Sequence, residues 1–125
     1  MTSWTAEELT TIGNADELDL RSLRADGLPR APVTIWVVRH GDDLYVRAVR
    51  GRDGWYRGTR TRHEGHIRSG GIDRDVTFAE ADEDRGLNDA IDSEYRTKYR
   101  RYPASYVEGV TSDQARSSTI KLVPR

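Results

Sequence analysis

The run Val33-Thr34-Ile35-Trp36-Val37-Val38 sets the strongest constraint on what this chain can fold into. β-Branched and aromatic side chains fill it, and a strand turns successive side chains to opposite faces. Val33, Ile35 and Val37 therefore share one face, and Trp36 and Val38 the other. A strand apolar on both faces suits a closed or partly closed barrel with another element packed outside it. Gly41, Asp42 and Asp43 supply turn chemistry. Residues 44–50 return as a second strand, so 33–40 and 44–50 read as a hairpin.

The rest of the chain extends this pattern. Residues 5–14 read as a short helix, with Thr5 and Glu8 at capping-box spacing and Leu9 and Ile12 on one face. Residues 18–23 form a candidate strand, and 25–32, with one glycine and two prolines, a loop. Gly51-Arg52-Asp53-Gly54 reads as a turn into a third hairpin strand over 55–60. Residues 66–69 and 75–81 are further strands separated by Gly70-Gly71. Leu87, Ile91, Tyr95 and Tyr99 recur every fourth residue, with Tyr102 three later, which predicts a helix over 87–102 ended by Pro103. Ser112 caps a last helical turn over 113–117, and 118–123 closes the chain as a strand. The expected fold is mainly β with flanking helices: a barrel of about six antiparallel strands in a single domain over 1–125.

Composition narrows the function classes. No cysteine is present, which excludes disulfides, thiolate zinc sites and cysteine nucleophiles. No apolar run approaches the roughly 20 residues of a membrane span. Residues 1–8 are polar and acidic rather than signal-like, so the reading is cytoplasmic. Hydrophobic residues are only 35% of the chain, a thin core that β-proteins of this kind complete by dimerising, so a homodimer is expected. Net charge is −1, which argues against a nucleic-acid partner. Charge is nonetheless segregated: residues 39–74 carry nine arginines against five acids, and 75–95 eight acids against one arginine. The two segments either pair with each other or leave the basic one to hold a small anion.

Motifs for known chemistry are scarce. His63, Glu64 and His66 match no zinc spacing and read as a solvated loop, so no metal is expected. No serine sits in a nucleophile elbow, and Gly51-Arg52-Asp53-Gly54 lacks the lysine of a phosphate loop. Catalytic residues are not identifiable. The tyrosine stripe reads as a helix face packed on the barrel, its hydroxyls kept wet. What is left is Arg47, Arg50, Arg57 and Arg60 interleaved with Trp55 and Tyr56. Arginine forks suit phosphate oxygens, and a neighbouring ring suits a planar ligand. Arg47 and Arg57, on strands, would hold an anion, Arg50 at the turn would assist, and Trp55 would pack beside the ligand. Cross-strand salt bridges are the competing explanation.

Residues 33–38, 43–48 and 51–57, continuing through Gly70-Gly71, Val76, Phe78, 91–99 and 122–125, resemble an uncharacterised bacterial family, a domain of unknown function, over nearly the whole chain. The strand order and the strand–turn–strand pattern are in turn similar to the split β-barrel superfamily of pyridoxamine-phosphate-oxidase-like proteins and deazaflavin-dependent nitroreductases. That resemblance implies that the barrel is a split β-barrel, FMN-binding-like, and that the chain is a homodimer binding FMN or a deazaflavin, a flavin-like ligand whose phosphate is met by arginines of this hairpin region, here Arg47, Arg50 and Arg57, with a reductase role. The oxidases' full Arg–Lys phosphate pattern does not recur in register. A non-enzymatic small-molecule-binding or structural dimer without the cofactor is the alternative.

Overall fold

The computed structural model describes residues 3–125. Helix α1 (Ala6–Asn14) starts on the expected capping box: Thr5 Oγ1 accepts from the Glu8 N–H at 3.1 Å, and Glu8 Oε1 from the Thr5 N–H at 2.9 Å. Leu9 and Ile12 are its buried side chains. Seven strands follow: β1 (Leu18–Ser22), β2 (Val33–Ile35), β3 (Val38–His40), β4 (Asp43–Val46), β5 (Glu64–Ser69), β6 (Ile72–Glu80) and β7 (Ile120–Pro124). Helices α2 (Trp55–Arg62), α3 (Arg85–Lys98), α4 (Ala104–Val110) and α5 (Asp113–Arg116) intervene. All pairings are antiparallel, in the order β2-β1-β5-β6-β7-β4-β3.

The two edge strands of this sheet, β2 and β3, are consecutive in sequence. Only Trp36 and Val37 lie between them. Ile35 to Val38 is three Cα steps, so the edges stand within about 11 Å of each other. A sheet whose edges are tethered that closely has to curl round on itself. The result is a half-barrel with a seam at Trp36-Val37, where the expected single strand over 33–40 splits in two. Backbone groups at the seam find side-chain partners instead of a ladder: the Val37 N–H donates to Tyr99 Oη at 3.1 Å, and Lys98 Nζ donates to the Val37 carbonyl at 2.6 Å. Alternation survives the break. Val33, Ile35 and Val37 belong to the interior core, while Trp36 and Val38 belong to the core outside the sheet.

The interior core joins Leu18, Leu20, Val46, Ile67, Phe78, Ile120 and Leu122 with Leu9 and Ile12 of α1 and Tyr56 of α2. Trp4 closes it, its indole N–H donating to the Leu122 carbonyl at 2.9 Å. The second core lies under α3, where Ile91, Tyr95 and Tyr99 pack on Val38 and Tyr45, with Val110 of α4. The stripe is thus a packing face, as the spacing predicts. Its hydroxyls are not wet, however: Tyr95 and Tyr99 are buried, and the Tyr99 O–H donates to the Asp16 carbonyl at 2.7 Å.

Three further elements depart from expectation. The strand expected over 44–50 ends at Val46, where β4 leaves its pairing with β7, so Arg47 follows the strand instead of lying on it. Residues 55–60 are helical, not a third hairpin strand. Their β-propensity loses to tertiary packing, because a helix puts Tyr56 and Thr59, three apart, on one buried face. The third is α4, which restarts immediately after Pro103. That proline, read as a stop, supplies the extended φ of −53° and ψ of 140° from which a new helix begins.

Candidate functional site

A cleft of ≈490 Å³ opens beside the seam. Ile35 and Trp36 form one wall, residues 47–50 after β4 a second, Gly54 and Trp55 at the start of α2 a third, and Tyr106 and Val110 of α4 a fourth. Its volume is that of a small-molecule site, and apolar side chains dominate the walls. Val49 and Tyr106, which line it, are 56% and 61% exposed, unusual for such side chains in this molecule. Trp36 stacks one ring face on Tyr99, with centroids 3.8 Å apart and planes 3° from parallel. That stack fixes the indole before any ligand arrives.

The 47–55 segment is held in place from behind. Ser118 Oγ accepts from the Ala48 N–H at 2.8 Å, and Gln114 donates to the Arg50 carbonyl at 2.8 Å. Gly51 has φ +70°, and a Cβ there would stand 2.7 Å from the Gln114 side chain and 2.8 Å from its carbonyl oxygen, so only glycine lets the turn sit against α5. Arg52 donates to the Ser117 carbonyl and pairs with Asp82 at 2.8 Å. Arg50 is exposed at the cleft and makes no ion pair among the described residues.

Three of the four residues singled out by sequence, Arg47, Arg50 and Trp55, line this cleft. Arg57 lies instead on an adjoining cavity of ≈290 Å³, which Trp55 also lines. It stands on the first turn of α2, not on a strand, and pairs with Asp53 at 3.0 Å.

For Arg47 the structure corrects the expectation. Its side chain is closed off from solvent, and all five guanidinium donors are engaged within the protein. Nε donates to Thr119 Oγ1 at 2.9 Å, Nη1 to Asp92 at 2.5 Å and the Val110 carbonyl at 3.1 Å, and Nη2 to the Asn88 side-chain oxygen at 2.9 Å and backbone carbonyl at 3.2 Å. It ties β4 to α3, α4 and the start of β7, and has no donor left for a phosphate. The guanidinium also lies over the Tyr95 ring, 5.5 Å from its centroid. Desolvation holds the Tyr95 phenol well above its ordinary value. Its hydroxyl is buried without a hydrogen-bond partner among the described residues.

Three of the nine arginines in the basic segment pair with the acidic one. Arg47–Asp92, Arg52–Asp82 and Arg60–Glu80 each join the basic segment to the acidic one. His66 lies between Asp73 and Asp75 on the sheet surface, and hydrogen bonds to Asp75 and then Asp73 raise its pKa. Burial is the main cause that lowers Lys98 from 10.5 to about 8. Trp36, Tyr106 and Val49 escaped sequence reasoning as site residues. Trp36 carries one signal, an aromatic within a two-faced run, and Tyr106 and Val49 carry none.

The fold is similar to several solved structures. An FAD-binding protein from Mesorhizobium loti superposes with a TM-score of 0.61 at 13% identity, over 99% of this chain and 92% of that one. A structure described as F420 Reductase gives 0.55 at 13% identity, over 93% and 90%. The FAD and heme binding protein from Mycobacterium smegmatis gives 0.51 at 18% identity, over 97% of this chain and 65% of that one. At these identities the likeness is one of fold alone, a split barrel. A search of curated proteins gives no match. A family model does match, over residues 8–122, and the chain belongs to that family: DUF2255, uncharacterized protein conserved in bacteria.

Proposed function

We propose that the cleft beside the seam binds the ring system of FMN or a deazaflavin, and that the chain is a reductase working through it. The observation that carries this reading is the cleft itself: ≈490 Å³, apolar-walled, bordered by Trp36, Trp55 and Tyr106, with Arg50 unpaired at its edge. The likeness in fold to an F420 reductase, an FAD-binding protein and an FAD and heme binding protein supports it. The residues fit such a ring, since aromatic and apolar walls take a flat surface and exclude water, and a free cation meets a carbonyl or anion. A flavin or deazaflavin, when bound, supplies hydride transfer. The protein's part is to bind and orient: Trp55 packs beside the ring, Trp36 backs it from its stack on Tyr99, and Arg50 holds a negative group. We further propose that the chain acts as a homodimer, with exposed Val49 and Tyr106 partly covered by the second copy.

Purified protein titrated with FMN and with a deazaflavin, followed by absorbance and fluorescence quenching, tests the reading. Saturable binding weakened by Trp55→Ala is the expected result, and no binding of either by wild type would sink it. A cofactor-free binding or structural dimer is the second reading. It is favoured by Arg47, whose donors all serve the fold.

A further inference from the structure

The smaller cavity adjoining the cleft shares Gly54 and Trp55 with it, yet its chemistry is different. Arg30, Arg57, Ser22 and Thr61 are among the residues that line it, and among the described residues no Asp or Glu does. In a chain of net charge −1 that is a local concentration of positive charge.

Arg30 is held ready. Its backbone N–H donates to the Ser22 carbonyl at 2.9 Å, and its Nη2 donates to Thr61 Oγ1 at 3.2 Å. Between those anchors its side chain crosses α2 at Gly58, where a Cβ would stand 2.8 Å from Arg30 Nε and 2.6 Å from Ser22 Oγ. Gly58, a poor helix former, leaves room for that crossing. Arg30 is half-buried, makes no ion pair among the described residues, and has its Nε closed off from solvent with no acceptor. Nε is out of reach of a cavity ligand, but with no carboxylate partner among the described residues the Nη donors beyond the Thr61 bond stay available to an oxyanion there. Arg57 is engaged only by Asp53, in an exposed pair that competes weakly for it.

We infer that this cavity is a phosphate subsite, in which Arg30 and Arg57 bind the phosphate monoester of a ligand whose ring lies in the adjoining cleft. Two planar forks match phosphate oxygens, and the hydroxyls of Ser22 and Thr61 add donors. The joining of the two cavities rests on the ring-binding reading above, whereas the anion site stands on its own lining.

Two titrations on the intact chain separate these. In the first, inorganic phosphate is compared with sodium chloride at equal ionic strength by thermal denaturation. Phosphate should raise the wild-type midpoint with concentration, and Arg30→Gln and Arg57→Gln should each lose most of that rise. Arg57 is exposed, so its variant keeps the test valid if Arg30→Gln folds poorly. Equal midpoints in phosphate and chloride overturn the subsite whatever flavins do, and phosphate stabilisation without flavin binding supports it while removing the ring reading. The second titration compares FMN with riboflavin, which lacks the phosphate. FMN should bind at least about tenfold more tightly to wild type, and the two should bind alike to Arg57→Gln. Equal affinities for wild type overturn the joined ligand and leave ring binding intact.

Discussion

Four arginines lie within one region of this molecule and differ in what the fold offers each of them. Arg47 lies under α3, with every donor engaged by Asp92, Asn88, Thr119 and Val110. Arg50 and Arg30, at the cleft and its neighbouring cavity, have no carboxylate partner among the described residues, and Arg57 has only an exposed one. Residue type is the same in all four; what differs is whether the fold supplies the acceptors. A saturated, buried arginine holds elements together, and an under-satisfied one beside a cavity is available to a ligand.

The sharpest way to break this comparison is Arg47→Ala. It removes all five buried donors, leaving Asp92 to Arg116 and the Asn88 side-chain oxygen to Thr119, and unfolding in urea should show a loss of about 3–5 kcal/mol. A loss as small as that of a surface change would mean the network is dispensable. Ile91→Ala removes the centre of the α3 packing face and should cost about 2–5 kcal/mol, since Ile91 is wholly buried. Denaturant midpoints at unchanged slope check it. Arg50→Ala belongs to the other class: stability should stay within about 0.5 kcal/mol of wild type. Flavin affinity, measured by fluorescence quenching, should fall on the order of tenfold.

Smaller effects sharpen the picture. Tyr95→Phe deletes a buried hydroxyl that has no partner among the described residues, so its stability should match or exceed wild type by up to about 1 kcal/mol. A clear loss in urea unfolding would reveal a partner for that hydroxyl. The pH profile should show two shallow features of opposite sign. His66 is raised in the folded state, so its contribution is complete below the ordinary value of 6.5 and disappears as pH climbs through the higher folded value. Lys98 is lowered to about 8 from 10.5, so the unfolded chain holds more protons between those values and stability rises with pH there. His66→Asn should abolish the fall and Lys98→Met the rise, read from urea midpoints between pH 6 and 9.5. Solvent screening keeps the His66 effect the smallest of these, because its side chain is 36% exposed.

Much of the architecture was legible in the residues themselves. The capping box of α1, the Gly70-Gly71 turn with both φ values positive, the alternation of β1 and β7 and the α3 stripe are local signals, set by side chains within one or two turns of each other. The two-faced run at 33–38 determined that something would pack on both sides of the sheet, and something does. Tertiary structure alone decided where the run breaks, because its two halves pair with β1 and β4, strands on either side of it in sequence. It also decided that residues 55–62 coil rather than extend, since the burial of Tyr56 and Thr59 depends on partners across the barrel. The site divides in the same way. Sequence pointed to Arg47, Arg50, Trp55 and Arg57 as a basic, aromatic cluster, and the fold does bring them to two adjoining cavities. Which of those arginines keeps a free donor depends on acceptors at residues 88, 92, 110 and 119. Spacing along the chain carries no record of such long-range contacts, whose formation rests on the closure of the whole barrel.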